Sequence, residues 1–234
     1  ADARKMPSES IAKEMLREVM LGISSKNKHV VVTTFSSHIA RLNSIVEFGQ
    51  KMGRKIVFMG RSMAKYVRAA EATGIANFTN KVEVLKFSGQ IKKKLKKIAK
   101  DRGKYLMVAT GHQGEPNSVL SKMMSGELKF KFFPEDHIIF SCRTITTPTN
   151  IENRQRLEAS LKSFNVRIFK DIHQSGHAAR EDLRDLINLA RPKHIIPAHG
   201  EPIMLNALAD LAAEMGYKKG ENVHVMGNGE ILKL

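Results

Sequence analysis

Apolar runs alternate with amphipathic segments along most of this chain. Runs typical of buried strands lie at residues 29–35, 55–59, 105–109, 138–140 and 166–169. Segments with apolar positions at helical spacing lie at 11–21, 39–48, 62–72, 150–164 and 180–190. This alternation predicts an α/β protein with a parallel sheet that helices cover on both faces.

Two histidines flank the last of these predicted helices, at residues 180–190. His177 follows the strand at 166–169 in a Ser-Gly-His turn, and Pro192 ends the helix after it. The short apolar run at 194–196 predicts another buried strand, so His199 is expected at its carboxyl end. Ligands bind at that edge of open α/β sheets, which makes both histidines candidates for catalysis.

A serine pair stands where the first strand turns into a helix. The hydroxyls of Ser36 and Ser37, with the free N–H groups of the helix, are suited to hold an anion, and Arg41 follows one turn later. For an arbitrary Ser-Ser pair, simple helix capping is the favoured interpretation. The residues alone therefore allow both interpretations, anion binding and helix capping.

A glycine-bearing loop, residues 110–116, follows another strand. Gly111 and Gly114 enclose polar side chains that include Gln113, which is a weak indication of a nucleotide-binding loop. The lysine run at 92–97 is the densest cluster of charge. We interpret it as the solvated face of a helix whose apolar positions point inward.

Composition favours a polyanionic partner. The 234 residues include 39 Lys and Arg against 23 Asp and Glu, a formal net charge of +16. The single cysteine, Cys142, excludes an internal disulfide framework and fits a reducing, cytoplasmic location. No long apolar span is present, so no membrane association is expected.

Several motifs together resemble one protein family. They are Ser-Gly-His-Ala at 175–178, Pro-Ala-His-Gly-Glu at 197–201, and the segments 34–41, 60–63 and 109–116. On these residues the chain resembles the archaeal ribonuclease J branch of the β-CASP group, within the metallo-β-lactamase superfamily. The resemblance implies a β-CASP domain at 1–167, followed at 168–234 by the carboxyl-terminal lobe of a metallo-β-lactamase αββα fold.

The family builds its two-zinc centre mainly from motifs that this sequence lacks. A catalytic zinc needs about three protein ligands, and the resemblance offers only His199 here. It therefore implies a carboxyl-terminal portion that works with a missing amino-terminal metallo-β-lactamase half. The complete enzyme would hold two Zn²⁺, whereas the isolated chain would hold none or an incomplete site.

The resemblance also assigns roles to residues. His177 would stabilise the scissile phosphate or protonate the leaving oxygen, and Glu201 would orient a neighbouring metal ligand. The residues expected to hold RNA and its 5′ phosphate are Ser36, Ser37, His38, Arg41, Gly111, Gln113, His173, Ser175 and Gly176.

The implied function is RNA processing by a zinc-dependent 5′-3′ exoribonuclease, with endonucleolytic cleavage also possible in the family. The expected ligand is single-stranded, 5′-phosphorylated RNA, and a homo-oligomer such as a dimer is expected by analogy. Two alternatives stay open. The chain alone would be inactive and act as a metal-free RNA-binding or assembly module, or the complete enzyme would cleave DNA.

Overall fold

A computed structural model of the protein describes residues 8–173 and 177–233. They belong to two compact units, residues 8–173 and residues 177–233. The helices of the first unit are α1 (Glu9–Gly22), α2 (Ile39–Lys51), α3 (Arg61–Ala72), α4 (Ser88–Ile98), α5 (Val119–Met124) and α6 (Pro148–Lys162). Its strands are β1 (Val30–Thr33), β2 (Lys55–Met59), β3 (Val82–Leu85), β4 (Tyr105–Ala109), β5 (His137–Phe140) and β6 (Arg167–Phe169).

The six strands form one sheet in the order β3-β2-β4-β1-β5-β6, and every neighbouring pair is parallel. The predicted α/β architecture with a parallel sheet is thus confirmed. Because side chains alternate along a strand, each strand feeds two cores. Val30 and Val32 pack with α1, α2 and α3 on one face, whereas Val31 packs with α4, α5 and α6 on the other.

This two-faced arrangement decides where a ligand meets the sheet. The chain leaves β1 towards the face that α2 covers, but leaves the neighbouring strands β4 and β5 towards the opposite face. Connections that diverge from adjacent parallel strands leave a crevice at their carboxyl ends. The segments that follow β1, β4 and β5 therefore come together at one edge, which we call the carboxyl edge.

The second unit is smaller. It contains α7 (Arg180–Ala190) and α8 (Pro202–Glu214), which share a small core with Ile195 and Val223. The predicted strand at 194–196 is wrong: the structure has a single parallel bridge between Ile195 and Val223. Pro197 lacks the N–H that a longer ladder needs, and Ile196 stays half-exposed.

The sequence places a domain boundary after residue 167. Strand β6 lies across that point and pairs with β5 as the last strand of the sheet. The domain boundary after residue 167 stays a prediction. The two compact units are divided in sequence at residues 174–175. No helix among the described residues combines the length and the apolar character that crossing a bilayer requires.

Candidate functional site

Arg41 is fully buried beneath the carboxyl edge. Its Nε and Nη2 donate to the two carboxylate oxygens of Glu9, at 2.6 and 2.8 Å. Its Nη1 donates to the carbonyl oxygens of Ser141 and Ile172, at 3.0 and 2.9 Å. The guanidinium therefore joins α1, α2 and the segments after β5 and β6. Its predicted contact with phosphate is untested, and these protein partners already use its donors.

The serine pair divides into a buried and an exposed member. The Ser36 Oγ lies 3.0 Å from the Ser62 Oγ, which joins the turn after β1 to the first turn of α3. Ser37 is exposed. Neither serine caps α2, because the residue at the N-cap position is His38 and no side chain caps that helix. The pair is thus available for another purpose than helix capping.

Two half-buried histidines, His38 and His173, lie beside Arg41. The His38 Nε2 is 3.6 Å from a Glu9 carboxylate oxygen. Burial lowers the pKa of both imidazoles, and the positive charge of Arg41 lowers it further. For Glu9, burial alone would raise the pKa, but the hydrogen bond and charge of Arg41 hold the pKa below its ordinary value. Both imidazoles are therefore harder to protonate than a free histidine, and Glu9 balances the charge of Arg41.

The glycine-bearing loop after β4 is held by its own side chains. Gln113 is buried, donates from Nε2 to the Arg143 carbonyl at 2.9 Å and accepts from the Ile145 N–H at 2.8 Å. A Cβ on Gly111 would lie 2.7 Å from the Ser118 Oγ, so close packing already requires glycine there. Gln113 thus positions the segment after β5, including the exposed Arg143.

The second unit brings His177 and His199 together. Their ring centroids lie 5.5 Å apart in an edge-to-face arrangement, and both side chains are exposed. His199 has a φ of 61°, so the backbone turns sharply at the start of the segment leading to α8. Glu201 occupies the N-cap position of α8 with an exposed side chain that does not cap the helix. Ser175 and Gly176 lie outside the described residues.

Two family models match the chain. The model described as "Ribonuclease J, beta-CASP domain" matches residues 27–158, and the model "Zn-dependent metallo-hydrolase RNA specificity domain" matches residues 164–226. The first of these covers more than half of the sequence. The chain belongs to the ribonuclease J family.

Curated relatives agree with this assignment. The chain is 41% identical to ribonuclease J of Pyrococcus abyssi over 234 residues, which is all of this chain and 51% of the relative. It is 42% identical to ribonuclease J of Methanocaldococcus jannaschii over 97% of this chain and 51% of the relative. A bacterial relative, from Sinorhizobium meliloti, is 30% identical. The chain spans about half the length of the two archaeal relatives.

Zinc is implied by the second family model, but the part of the chain that the structure describes shows no complete donor set for it. Nowhere in residues 8–173 or 177–233 do three or more His, Cys, Asp or Glu side chains converge to hold a metal ion. Since a catalytic zinc needs about three protein ligands, His199 fits only as one contributor.

Three neighbours of the predicted site were not expected from the sequence. Ser62 pairs with Ser36, Glu9 neutralises Arg41, and Ser141 accepts from Arg41. Ser62 had a usable signal, because it lies in the first turn of the helix that follows β2, just as Ser36 lies in the turn between β1 and the helix that follows it. Glu9 and Ser141 lie 32 and 100 residues from Arg41 along the chain, and no local pattern announces such contacts.

Proposed function

We propose that this ribonuclease J chain is the RNA-holding part of a zinc-dependent ribonuclease that hydrolyses phosphodiester bonds. Membership of the family carries the proposal, together with the match to an RNA specificity domain at residues 164–226. The formal charge of +16 suits a polyanionic substrate. The substrate class is single-stranded RNA with a 5′ phosphate, attacked from its 5′ end and also, as a secondary activity, internally.

In this proposal the carboxyl edge binds the 5′-terminal part of the RNA. The hydrogen-bonding groups there are the exposed hydroxyl of Ser37, the paired hydroxyls of Ser36 and Ser62, and the imidazoles of His38 and His173. Arg41 acts from below as a positioning residue, because its guanidinium fastens the segment that leads to His173. Gln113 and Gly111 belong to the neighbouring loop, which is the remaining RNA contact in this proposal, and Gln113 also holds the segment after β5 in place.

The second unit supplies the chemistry. His177 is the proposed group that stabilises the scissile phosphate or protonates the leaving oxygen, and His199 is one zinc ligand. Their ring centroids lie 5.5 Å apart, which is close enough for both side chains to reach one phosphate. Glu201, two residues after His199, would orient a ligand. The remaining ligands of the two Zn²⁺ come from an amino-terminal metallo-β-lactamase half, and the assembly is a cytoplasmic homo-oligomer.

The test replaces His199 in the complete two-half protein. His199→Ala is expected to lower the zinc content and to abolish cleavage of 5′-monophosphorylated RNA, because one ligand is lost. Elemental mass spectrometry of the purified protein measures the zinc content, and a gel assay measures the cleavage of RNA. His194→Ala, an exposed histidine of the same unit, is the matched control and should change neither. Full zinc content with normal turnover in His199→Ala would remove the ligand assignment.

A metal-free RNA-binding module is the second candidate for the chain by itself. It is favoured by the incomplete donor set around His199 and His177 among the described residues. The two candidates separate in the complete protein. If the complete protein binds RNA with the same affinity with and without zinc but never cleaves it, the result supports the RNA-binding module and contradicts the nuclease.

A further inference from the structure

A cavity opens at the carboxyl ends of β2, β3 and β4, lined by residues other than His38 and His173. It has a volume of about 260 Å³. The side chains that matter for its chemistry are those of Arg61, Lys86, Phe87, Ser88, Thr110 and Lys122. None of these residues is among those that the sequence analysis expects to hold RNA, although Arg61 and Thr110 lie in segments that carry the family resemblance.

The cavity is strongly positive. Arg61 and Lys86 are exposed and have no ion-pair partner among residues 8–173 and 177–233. Lys122 pairs with Glu127 at 3.0 Å, which leaves an excess of two positive charges around the opening. Ser88 is the first residue of α4; the Gln90 Oε1 accepts from the Phe87 N–H at 3.1 Å, and Phe87 at the N-cap position offers no side-chain acceptor for the N–H groups of the first turn. The positive end of the helix dipole therefore adds to the charge that faces an anion.

An exposed aromatic ring completes the cavity. Phe87 is 56% exposed, although phenylalanine is among the most often buried residue types. The Lys86 Nζ lies 4.9 Å from the centroid of the Phe87 ring. Aromatic rings flanked by cations are the usual platform for bases of single-stranded nucleic acids.

The size and position of the cavity favour part of a long ligand. Its volume falls below the ~300–1,000 Å³ of sites that enclose a whole small ligand. It also continues the carboxyl edge, because Gly60 and Arg61 directly precede Ser62, whose hydroxyl contacts Ser36. Three strand spacings separate the ends of β1 and β3, which corresponds to about 15 Å. The same RNA strand can therefore reach both places.

We propose that this cavity is a subsite for an internal nucleotide of single-stranded RNA. A backbone phosphate lies against Arg61, Lys86 and Lys122, and a base stacks on Phe87. This subsite rests on the proposed RNA-binding function and extends it by a second contact point beyond the terminal phosphate.

The test compares two 5′-phosphorylated RNAs, a dinucleotide and an oligouridine of about 16 nucleotides, binding to the 234-residue chain in fluorescence anisotropy. The variant Lys86→Ala/Phe87→Leu removes a cation and the stacking ring from exposed positions. The control variant Lys96→Ala/Tyr66→Leu removes a cation and a ring from exposed positions outside the cavity.

The cavity variant is expected to bind the long RNA about tenfold more weakly, which corresponds to about 1.4 kcal/mol. The affinity of the cavity variant for the dinucleotide should fall by a smaller factor than its affinity for the long RNA. Its salt dependence should also become shallower, by about 0.7 in the log-log slope for one lost phosphate contact. The control variant should keep the affinity of the wild-type chain for both RNAs.

Two outcomes overturn the subsite in different ways. Equal losses in the cavity variant and the control variant, with a wild-type chain that binds RNA, contradict the subsite and leave the proposed function standing. A wild-type chain that binds neither RNA contradicts both proposals.

Discussion

Arg41 shows what a single residue reveals only in three dimensions. From the sequence it is a basic side chain one turn beyond a serine pair, and it was expected to contact phosphate. In the structure its guanidinium is fully buried and donates to Glu9, Ser141 and Ile172. Burying this charge is tolerable only because its partners satisfy it. The side chain thus shapes the site from underneath.

Arg41→Met should therefore destabilise the protein. The change leaves the Glu9 carboxylate without its partner and the Ser141 and Ile172 carbonyls without their donor, which corresponds to a loss of about 3–5 kcal/mol. Urea unfolding measures the free energy. Arg156→Ala is the control, because Arg156 makes an exposed pair with Glu152 and should lose less than about 1 kcal/mol. Equal losses in the two variants would contradict the buried role of Arg41.

His29 makes stability depend on pH. Burial lowers its pKa from 6.5 to about 4, against the attraction of Asp136. Its ring packs on Phe130, at 4.9 Å between centroids. Because the folded state resists protonation, the contribution is complete above pH 6.5 and is lost as the pH falls towards 4.

His29→Leu should therefore flatten the dependence of the unfolding free energy on pH across that window. The slope should not vanish, because the pKa values of His38, His112, His137 and His173 are lowered as well, chiefly by burial. Thermal unfolding followed at several pH values gives the slope. A variant with the same slope as the wild-type protein would show that His29 does not control it.

At the scale of elements, the sequence predicts five of the six strands and misses the edge strand β3. The bounds of β2 and β4 agree with the predicted runs at 55–59 and 105–109, because central strands are apolar on both faces. The edge strand β3 was missed, since Glu83 interrupts its apolar pattern on an exposed face. The run at 194–196 has the composition of a strand, but a ladder also needs neighbours, which composition does not specify.

Loop contacts belong to the same scale. The loop after β4 approaches α6 so closely that a Cβ on Gly114, at φ +74°, would lie 2.3 Å from the Asn153 carbonyl oxygen. Gly126 has a similar φ of +81° but no atom within 4 Å of an added Cβ. Comparing substitutions at these two glycines therefore distinguishes the cost of backbone strain from the cost of close packing.

Gly126→Ala should reduce stability by about 1 kcal/mol, the left-handed penalty alone. Gly114→Ala should lose about 1–3 kcal/mol more, because the added methyl also overpacks the loop against α6. Chemical denaturation of both variants gives the comparison. If Gly114→Ala loses no more than Gly126→Ala, the loop does not depend on this close approach.

For the whole molecule, topology turns scattered residues into one edge. The segments after β1, β5 and β6 supply Ser36, Ser37, His38, Arg143 and His173, which are spread over more than 130 residues of sequence. Strand order explains this convergence, but the periodicity of apolar residues does not specify strand order. The family motifs predicted which turns matter, whereas the division into structural and ligand-facing side chains required the structure.

The most direct test of the central claim measures the affinity of this chain for RNAs that differ only at their 5′ end. The wild-type chain should bind 5′-monophosphorylated RNA more tightly than the 5′-hydroxyl form. Ser36→Ala/Ser37→Ala should abolish this difference, because the hydroxyls at the end of β1 are proposed to hold the terminal phosphate. If both RNAs bind the wild-type chain equally, or if the serine variant keeps the full preference, the carboxyl edge does not hold the 5′ phosphate.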